Sequence, residues 1–265
     1  MKVIGIMRQV WVWRRLVLSL AAREFRARYA GSVFGAIWAI LEPLVQFLLY
    51  LTVFSWFLGM RLEGKPGVAS FALYLMSGLV PYLAFQESLL RAVNLAREQA
   101  QLVRHVNVPL EVLLAGSLTA IFARHAVTMV LVLVAAAIGG ALAWPGVLWL
   151  LFGVMVLVLA AFGLALALVP SGAFLPDLGQ FLGTGLTVLF FMTPIVYSAA
   201  VLPKGLAPWM VGNPVADILK AFRAGVVGLA IAPVEAAVAV GFALVALLFG
   251  GWVFAARSQA VRDVV

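Results

Sequence analysis

Six stretches of the chain are apolar for about twenty residues or more, at 33–58, 70–90, 112–142, 147–170, 178–198 and 233–255. A spanning helix needs roughly 20 mostly apolar residues, and a helix satisfies its own backbone hydrogen bonds in hydrocarbon. The pattern predicts an all-α polytopic membrane protein with about six transmembrane helices. The chain is 65% hydrophobic and 11% charged, where a soluble domain is about half apolar and a quarter charged. No repeat of 20–50 residues is visible, so residues 1–265 read as one transmembrane domain.

The Lys and Arg count sets the orientation. With six spans, twelve basic residues fall on the side of the head, the second loop and the tail, and five on the other. Both termini are therefore expected in the cytosol, and the excess rests mainly on the head. The net charge of +8 reads as topology and attraction to anionic lipid, not as a nucleic-acid partner. The head carries too many charges for a signal core and shows no clear cleavage site, so the first membrane helix is expected to stay attached.

Residues 8–29 predict an amphipathic helix lying in the headgroup plane. Arg8, Arg15, Ser19 and Arg26 share one side of the wheel, and Trp13, Leu16, Val17 and Leu20 the other. One reading is a positive-inside anchor and nothing more. The other adds recognition of a lipid phosphate, which arginine grips bidentately.

Two segments depart from the membrane pattern. Residues 91–111, RAVNLAREQAQLVRHVNVPLE, form a polar island between apolar runs. It reads either as a solvated turn or as a docking place for a soluble partner, with a short helix stopping near Pro109. Residues 193–233 are apolar but broken by Pro194, Pro203, Pro208, Pro214 and Pro233. Irregular backbone at membrane depth must be buried in protein or line a cavity. Two short re-entrant helices on the outer side, before the last span, fit best.

Little points to catalysis. Cysteine is absent and there are two histidines, His105 and His125. The acids are scattered singly, and no metal cluster is visible. GMRLEGKP, from Gly59 to Pro66, matches a phosphate-binding loop until Pro66 stands where Ser or Thr should bind magnesium, and it follows a membrane run rather than a strand. Glu42, Arg124 and His125 lie in apolar runs, where ionisable groups face the bundle or water. A structural ion pair, a protonated Glu42 or a transport role fits them. Gly31 with Gly35, and Gly179 with Gly183, have the spacing that lets helices approach closely.

Three stretches, RARYAGSVFGAIWAILEP, LVRHVNVPLEVL and TPIVYSAAVLPKG…NPVADILKAFRAGVVG, occur in this order. With them the chain resembles the membrane subunit of bacterial polysaccharide-exporting ABC transporters (the ABC-2 type). O-antigen exporters look closest, with capsule and teichoic-acid exporters as relatives. The resemblance implies a channel-forming permease that is not itself an enzyme. It would be multi-pass in the inner membrane, a homodimer, and docked on two copies of a separate cytosolic ATPase. It would bind no cofactor itself, with ATP and magnesium on that ATPase.

The resemblance also implies roles. An ATPase-coupling helix would fall near 96–107, with Arg97, Glu98, Gln101, Arg104 and His105. The lipid headgroup of a lipid-linked polysaccharide would enter at Arg23, Arg26, Arg28 and Tyr29. Trp38, Glu42, Phe190, Phe191, Tyr197 and Trp209 would line the channel or its gate, the outer gate segment being 199–232. The last span at 233–255 would be followed by a cytosolic tail at 256–265. Where the family commonly has Arg-Asp in the turn between the fourth and fifth spans, this chain has Pro176–Asp177. The competing functions are an ABC exporter of a small lipid or drug and, in another class, an integral membrane glycosyl- or phospho-transferase.

Overall fold

The computed structural model describes residues 2–60, 62, 69–99, 108–142, 144–197 and 212–264. These residues are overwhelmingly helical, and no strand occurs among them. The chain begins with α1 (Lys2–Val12) and α2 (Arg14–Tyr29). The single helix expected over 8–29 is thus two helices, broken at Trp13. A short 3₁₀ turn, Gly35–Ile37, leads into α3 (Trp38–Tyr50), which continues as a π-helical stretch, Leu51–Phe57. Then come α4 (Ser70–Glu98), α5 (Leu110–Ile138), α6 (Trp144–Phe174), α7 (Leu178–Met192), α8 (Pro214–Val227) and α9 (Pro233–Val264).

Among the described residues, four helical segments are long and apolar enough to cross a membrane: Gly35–Phe57, Leu110–Ile138, Pro145–Phe174 and Pro233–Val261. Two of the six expected runs differ. α4 has the length, at 29 residues, but it is more polar. It is also the axis of the bundle, with most of its first 27 residues buried against α5, α6 and α8. Other helices shield it from lipid, which is why it tolerates serines, tyrosines and glutamine. The fifth run was expected over 178–198, but α7 stops at Met192 after 15 residues.

The helices that flank α4 close on it and on one another through glycines. A Cβ added at Gly163 of α6 would overlap the backbone of Ala246 and Leu247 on α9. One at Gly172 would overlap the Val93 carbonyl of α4. Gly146 of α6 would bring its Cβ to 2.9 Å from the Gly225 carbonyl of α8. The expected close approach at Gly31 and Gly35 is different in kind. Both adopt positive φ, at 80° and 51°, and an added Cβ would meet nothing within 4 Å. Here they make the turn between α2 and α3, because glycine alone enters left-handed backbone without strain. Gly179 and Gly183 on α7 lie in ordinary contact range of Asn94 and Leu90 on α4, at 3.5 and 3.9 Å for an added Cβ.

Of the two re-entrant helices expected before the last span, one falls on described residues. α8 has 14 residues, too few to span, and nearly all are buried. The other, within 198–211, lies outside the described residues. Asn213 starts α8 by accepting from the N–H groups of Val215 and Ala216, with Pro214 at the first helical position, and Gly228 ends it at φ 64°. Asn213 Nδ2 also donates to Thr193 Oγ1 at 3.0 Å, joining the start of the outer segment to the start of α8. Asn213→Ala is therefore expected to lower stability by about 1–2 kcal/mol. Asn213→Asp keeps the cap but loses the amide donor and should fall between. Thermal unfolding of the purified protein in detergent checks the order.

Candidate functional site

One end of the bundle gathers α1, α2, the C-terminal ends of α4, α6 and α9, and the N-terminal end of α5. Leu20 of α2 packs on Gly116 of α5, Val3 of α1 on Gly251 of α9, and Gly172 of α6 on Val93 of α4. Antiparallel helices put these ends together, so the arginine-rich head meets the polar end of α4.

Between α2, α3, α4 and α5 lies a polar cavity of about 520 Å³. α2 contributes Arg28 and Tyr29, α3 contributes Glu42 and Gln46, α4 contributes Gln86, Glu87, Arg91 and Glu98, and α5 contributes Arg124, His125 and Thr128. Glu87 is the hub of one cluster. It accepts from Arg124 and pairs with His125 Nε2 at 3.1 Å. Arg91 is the hub of a second, bonded to Glu24 of α2 at 2.6 Å and to Glu98. Its Nε–H also reaches Ser117 Oγ of α5 at 3.4 Å. The Glu24–Arg91–Glu98 chain thus ties the head helix to the end of α4.

Most of these charges neutralise one another inside the chain. Arg28 and Glu42 are the exceptions. Both line the cavity, and among the described residues neither has an ion-pair partner. The cavity therefore offers one uncommitted guanidinium and one uncommitted carboxylate, with Gln46, Gln86 and Thr128 beside them. Such a site binds a polar, anionic or hydroxyl-rich group. Among the described residues no three metal-ligating side chains converge.

The other residues singled out in the sequence are distributed as follows. Tyr29 is buried, with Phe25 edge-on at 5.5 Å. Arg23 lines a smaller adjoining cavity beside Arg91. Arg26 turns away, donating to the Ala22 carbonyl of its own helix. Arg97 does not stand free for a partner. It donates to the carbonyls of Gly172 and Pro176, tying the end of α4 to the α6–α7 turn. Glu98 is likewise held by Arg91. Gln101, Arg104, His105 and Trp209 lie outside the described residues.

The described aromatic residues split between exposed and packed positions. Trp38 and Phe191 are exposed in the single chain. Phe190 packs against Tyr82 at 5.4 Å and Phe191 at 5.2 Å. Tyr197 donates its hydroxyl to the Phe191 carbonyl at 2.6 Å.

Two features were missed in the sequence. Glu87, and not Glu42, is the partner of Arg124 and His125. Glu87, Arg91 and Glu98 stand at i, i+4 and i+11, one face of a helix, and that spacing was the available signal. The second is Arg223, 3% exposed, whose Nη2 donates to the carbonyls of Pro194 at 2.5 Å and Ile195 at 3.2 Å. Its guanidinium lies 3.9 Å from the Tyr74 ring centroid.

Comparison with known proteins bears on what this bundle is. A family profile described as ABC-2 type transporter matches residues 15–227. The chain is 27% identical to the O-antigen export system permease protein RfbA of Myxococcus xanthus, over 83% of this chain and 84% of the relative. It is 26% identical to the polysialic acid transport protein KpsM of Escherichia coli, over 92% and 94% of the two chains. It is 25% identical to the capsule polysaccharide export inner-membrane protein CtrC of Neisseria meningitidis, over 82% and 81%. The profile covers α2 through α8, from the arginine-rich head past the polar cavity to the outer segment, so this multi-pass membrane protein belongs to the ABC-2 type transporter family.

Proposed function

We propose that this chain is the permease subunit of an ATP-driven exporter that moves a lipid-linked polysaccharide, O-antigen or capsule-like, across the bacterial inner membrane. The observation that carries the reading is that the relatives, alike over most of both chains, are named for export or transport of O-antigen, polysialic acid or capsule polysaccharide. Both termini lie in the cytosol in this reading, following the basic head. ATP and magnesium belong to a separate ATPase, two copies of which dock beneath a permease homodimer, at 96–107. Arg97 then serves by holding the α6–α7 turn against the end of α4 rather than by meeting the ATPase itself.

The exposed apolar faces of α3 and α7, with Trp38, Val45, Phe181 and Phe191, meet the second copy and line the path between the two. The lipid phosphate approaches from the cytosolic surface and meets Arg28 in the polar cavity. Glu42, Gln46 and Thr128 take sugar hydroxyls. Residues 199–232 form the outer gate.

The arginines discriminate this reading. Arg28 faces the cavity and has no acidic partner among the described residues, whereas Arg26 is spent on its own helix. Charge-assisted bonds to a phosphate are worth roughly 1.5–3 kcal/mol. Arg28→Gln is therefore expected to raise at least tenfold the half-saturating concentration of lipid-linked sugar that stimulates the co-purified ATPase, and Arg26→Gln to raise it less than twofold. Equal effects would place the headgroup elsewhere. Failure of any soluble ATPase to co-purify would count against the exporter itself.

A further inference from the structure

α6 ends against a proline. The Ser171 carbonyl still accepts from the Leu175 N–H at 3.0 Å, which carries the helical pattern one residue past Phe174. The next carbonyl, of Gly172, would take its bond from the N–H of residue 176, but Pro176 has none to give. The missing donor comes from another helix. Arg97, in the last turn of α4, donates from Nη2 to the Gly172 carbonyl and from Nη1 to the Pro176 carbonyl at 3.3 Å. A forked cation suits this place, because a helix C-terminus carries unpaired carbonyls and the negative end of the dipole. Gly172 lets the two helices close enough, since a Cβ there would overlap the Val93 carbonyl.

α7, which follows this turn, is lightly held. It packs chiefly on α4 and touches α6 little. On that face Gly179 and Gly183 present no side chain to interlock with Asn94 and Leu90. Tyr82 of α4 donates to the Leu186 carbonyl midway along. On the other side Phe181, Val188 and Phe191 are exposed. α4 is gripped by its neighbours as far as Ala96, whereas Arg97 is part-buried and Glu98 exposed. A force applied to this end of α4 is therefore felt first in the turn that carries Arg97.

We propose that Arg97 is the positioning residue that carries movement of the ATPase-docking stretch into α7, the helix facing the path. This role rests on the export reading, which places the ATPase at 96–107 and the path on α7. When the last turn of α4 shifts, Arg97 draws the Gly172 and Pro176 carbonyls with it. α7, joined to them through a short turn, then slides along α4 on its glycine face, a shear of packed helices. Arg97 does not line the polar cavity, so it acts on the rate of turnover and not on the binding of the transported molecule.

The test uses the full permease with its co-purified ATPase in nanodiscs, stimulated by lipid-linked sugar. Arg97→Gln should lower the maximal stimulated rate at least fivefold and shift the half-saturating concentration less than twofold, whereas Arg28→Gln moves chiefly the half-saturating concentration. An environment-sensitive fluorophore on Thr184→Cys, at the exposed face of α7, should change emission when ATP and vanadate trap the ATPase. Arg97→Gln should lower that change at least threefold. Pro176→Ala separates the relay from a loss of stability. It returns an N–H to the Gly172 carbonyl, so Arg97→Gln/Pro176→Ala should regain the melting temperature lost in Arg97→Gln without regaining the rate or the emission change. Recovery of either by Pro176→Ala would overturn the relay and leave Arg97 a helix cap. An emission change that survives Arg97→Gln would overturn it as well. Loss of the ATPase from Arg97→Gln would overturn it in favour of direct docking. No response to ATP in Thr184→Cys alone would overturn the export reading and the relay together.

Discussion

Gly163→Leu is expected to cost at least about 3 kcal/mol and to lower the melting temperature by roughly 6–12 °C. α6 and α9 form the most extensive helix pair among the described residues, and their backbones meet at Gly163 and Gly250. A Cβ on either would overlap the other helix's main chain. A flexible side chain can swing aside, but a helix backbone moves only as a whole. Within a membrane, helices associate through such close packing, because lipid removes most of the hydrophobic drive. Gly241→Leu on α9 is the internal control. Nothing lies within 4 Å of a Cβ there, so the substitution should be nearly silent. Thermal unfolding in detergent, followed by fluorescence-detected gel filtration, reads both. A Gly163→Leu protein as stable as Gly241→Leu would mean that the two helices do not pack here.

Arg223→Leu is expected to release the start of the outer segment. Arg223 holds the carbonyls of Pro194 and Ile195 while its face covers Tyr74, whose own hydroxyl donates to the Tyr197 carbonyl at 3.1 Å. Gly78 makes room, since a Cβ there would stand 2.7 Å from Arg223 Nη2. Losing these charge-assisted bonds costs about 2–4 kcal/mol locally, and each 1.4 kcal/mol is tenfold in an opening equilibrium. The chain has no native cysteine, so Val196→Cys is a clean reporter. Its reaction with a water-soluble thiol reagent should speed up at least tenfold in Arg223→Leu. Arg223→Lys should resemble Arg223→Leu, because one ammonium does not reproduce a planar fork stacked on a ring. An unchanged rate would show that the segment is held by other contacts.

These two sites show how unevenly the molecule can be read. The i, i+4 spacing selects Gly31 with Gly35, which make a turn, and Gly179 with Gly183, which lie in ordinary contact range of α4. The close contacts fall at Gly163 and Gly172 instead, because closeness depends on which residue of another helix lies opposite. Arg223 read as one more outer-loop cation. Only its burial beneath Tyr74, about 150 residues away in sequence, makes it a clamp. The head arginines were legible as a group, but Arg28 and Arg26 differ only in which way each side chain leaves α2.

The sequence by itself determined that the chain is helical, that it lies in a membrane, and that a polar stretch at 91–111 and a proline-broken stretch at 193–233 depart from the membrane pattern. A bilayer demands long apolar runs and backbone satisfied within each helix, so local composition is enough to place them. It also determined that charge concentrates at the head and around residue 97. Tertiary structure alone decided which charges are spent and which remain. Glu87 took Arg124 and His125, Arg91 took Glu24 and Glu98, and Arg28 and Glu42 were left facing one cavity. In α5 and α6 nearly every face is apolar, so periodicity does not say which face meets α4, which meets a neighbour and which opens to lipid. That choice is made by shape, where small residues let backbones touch and large ones hold them apart.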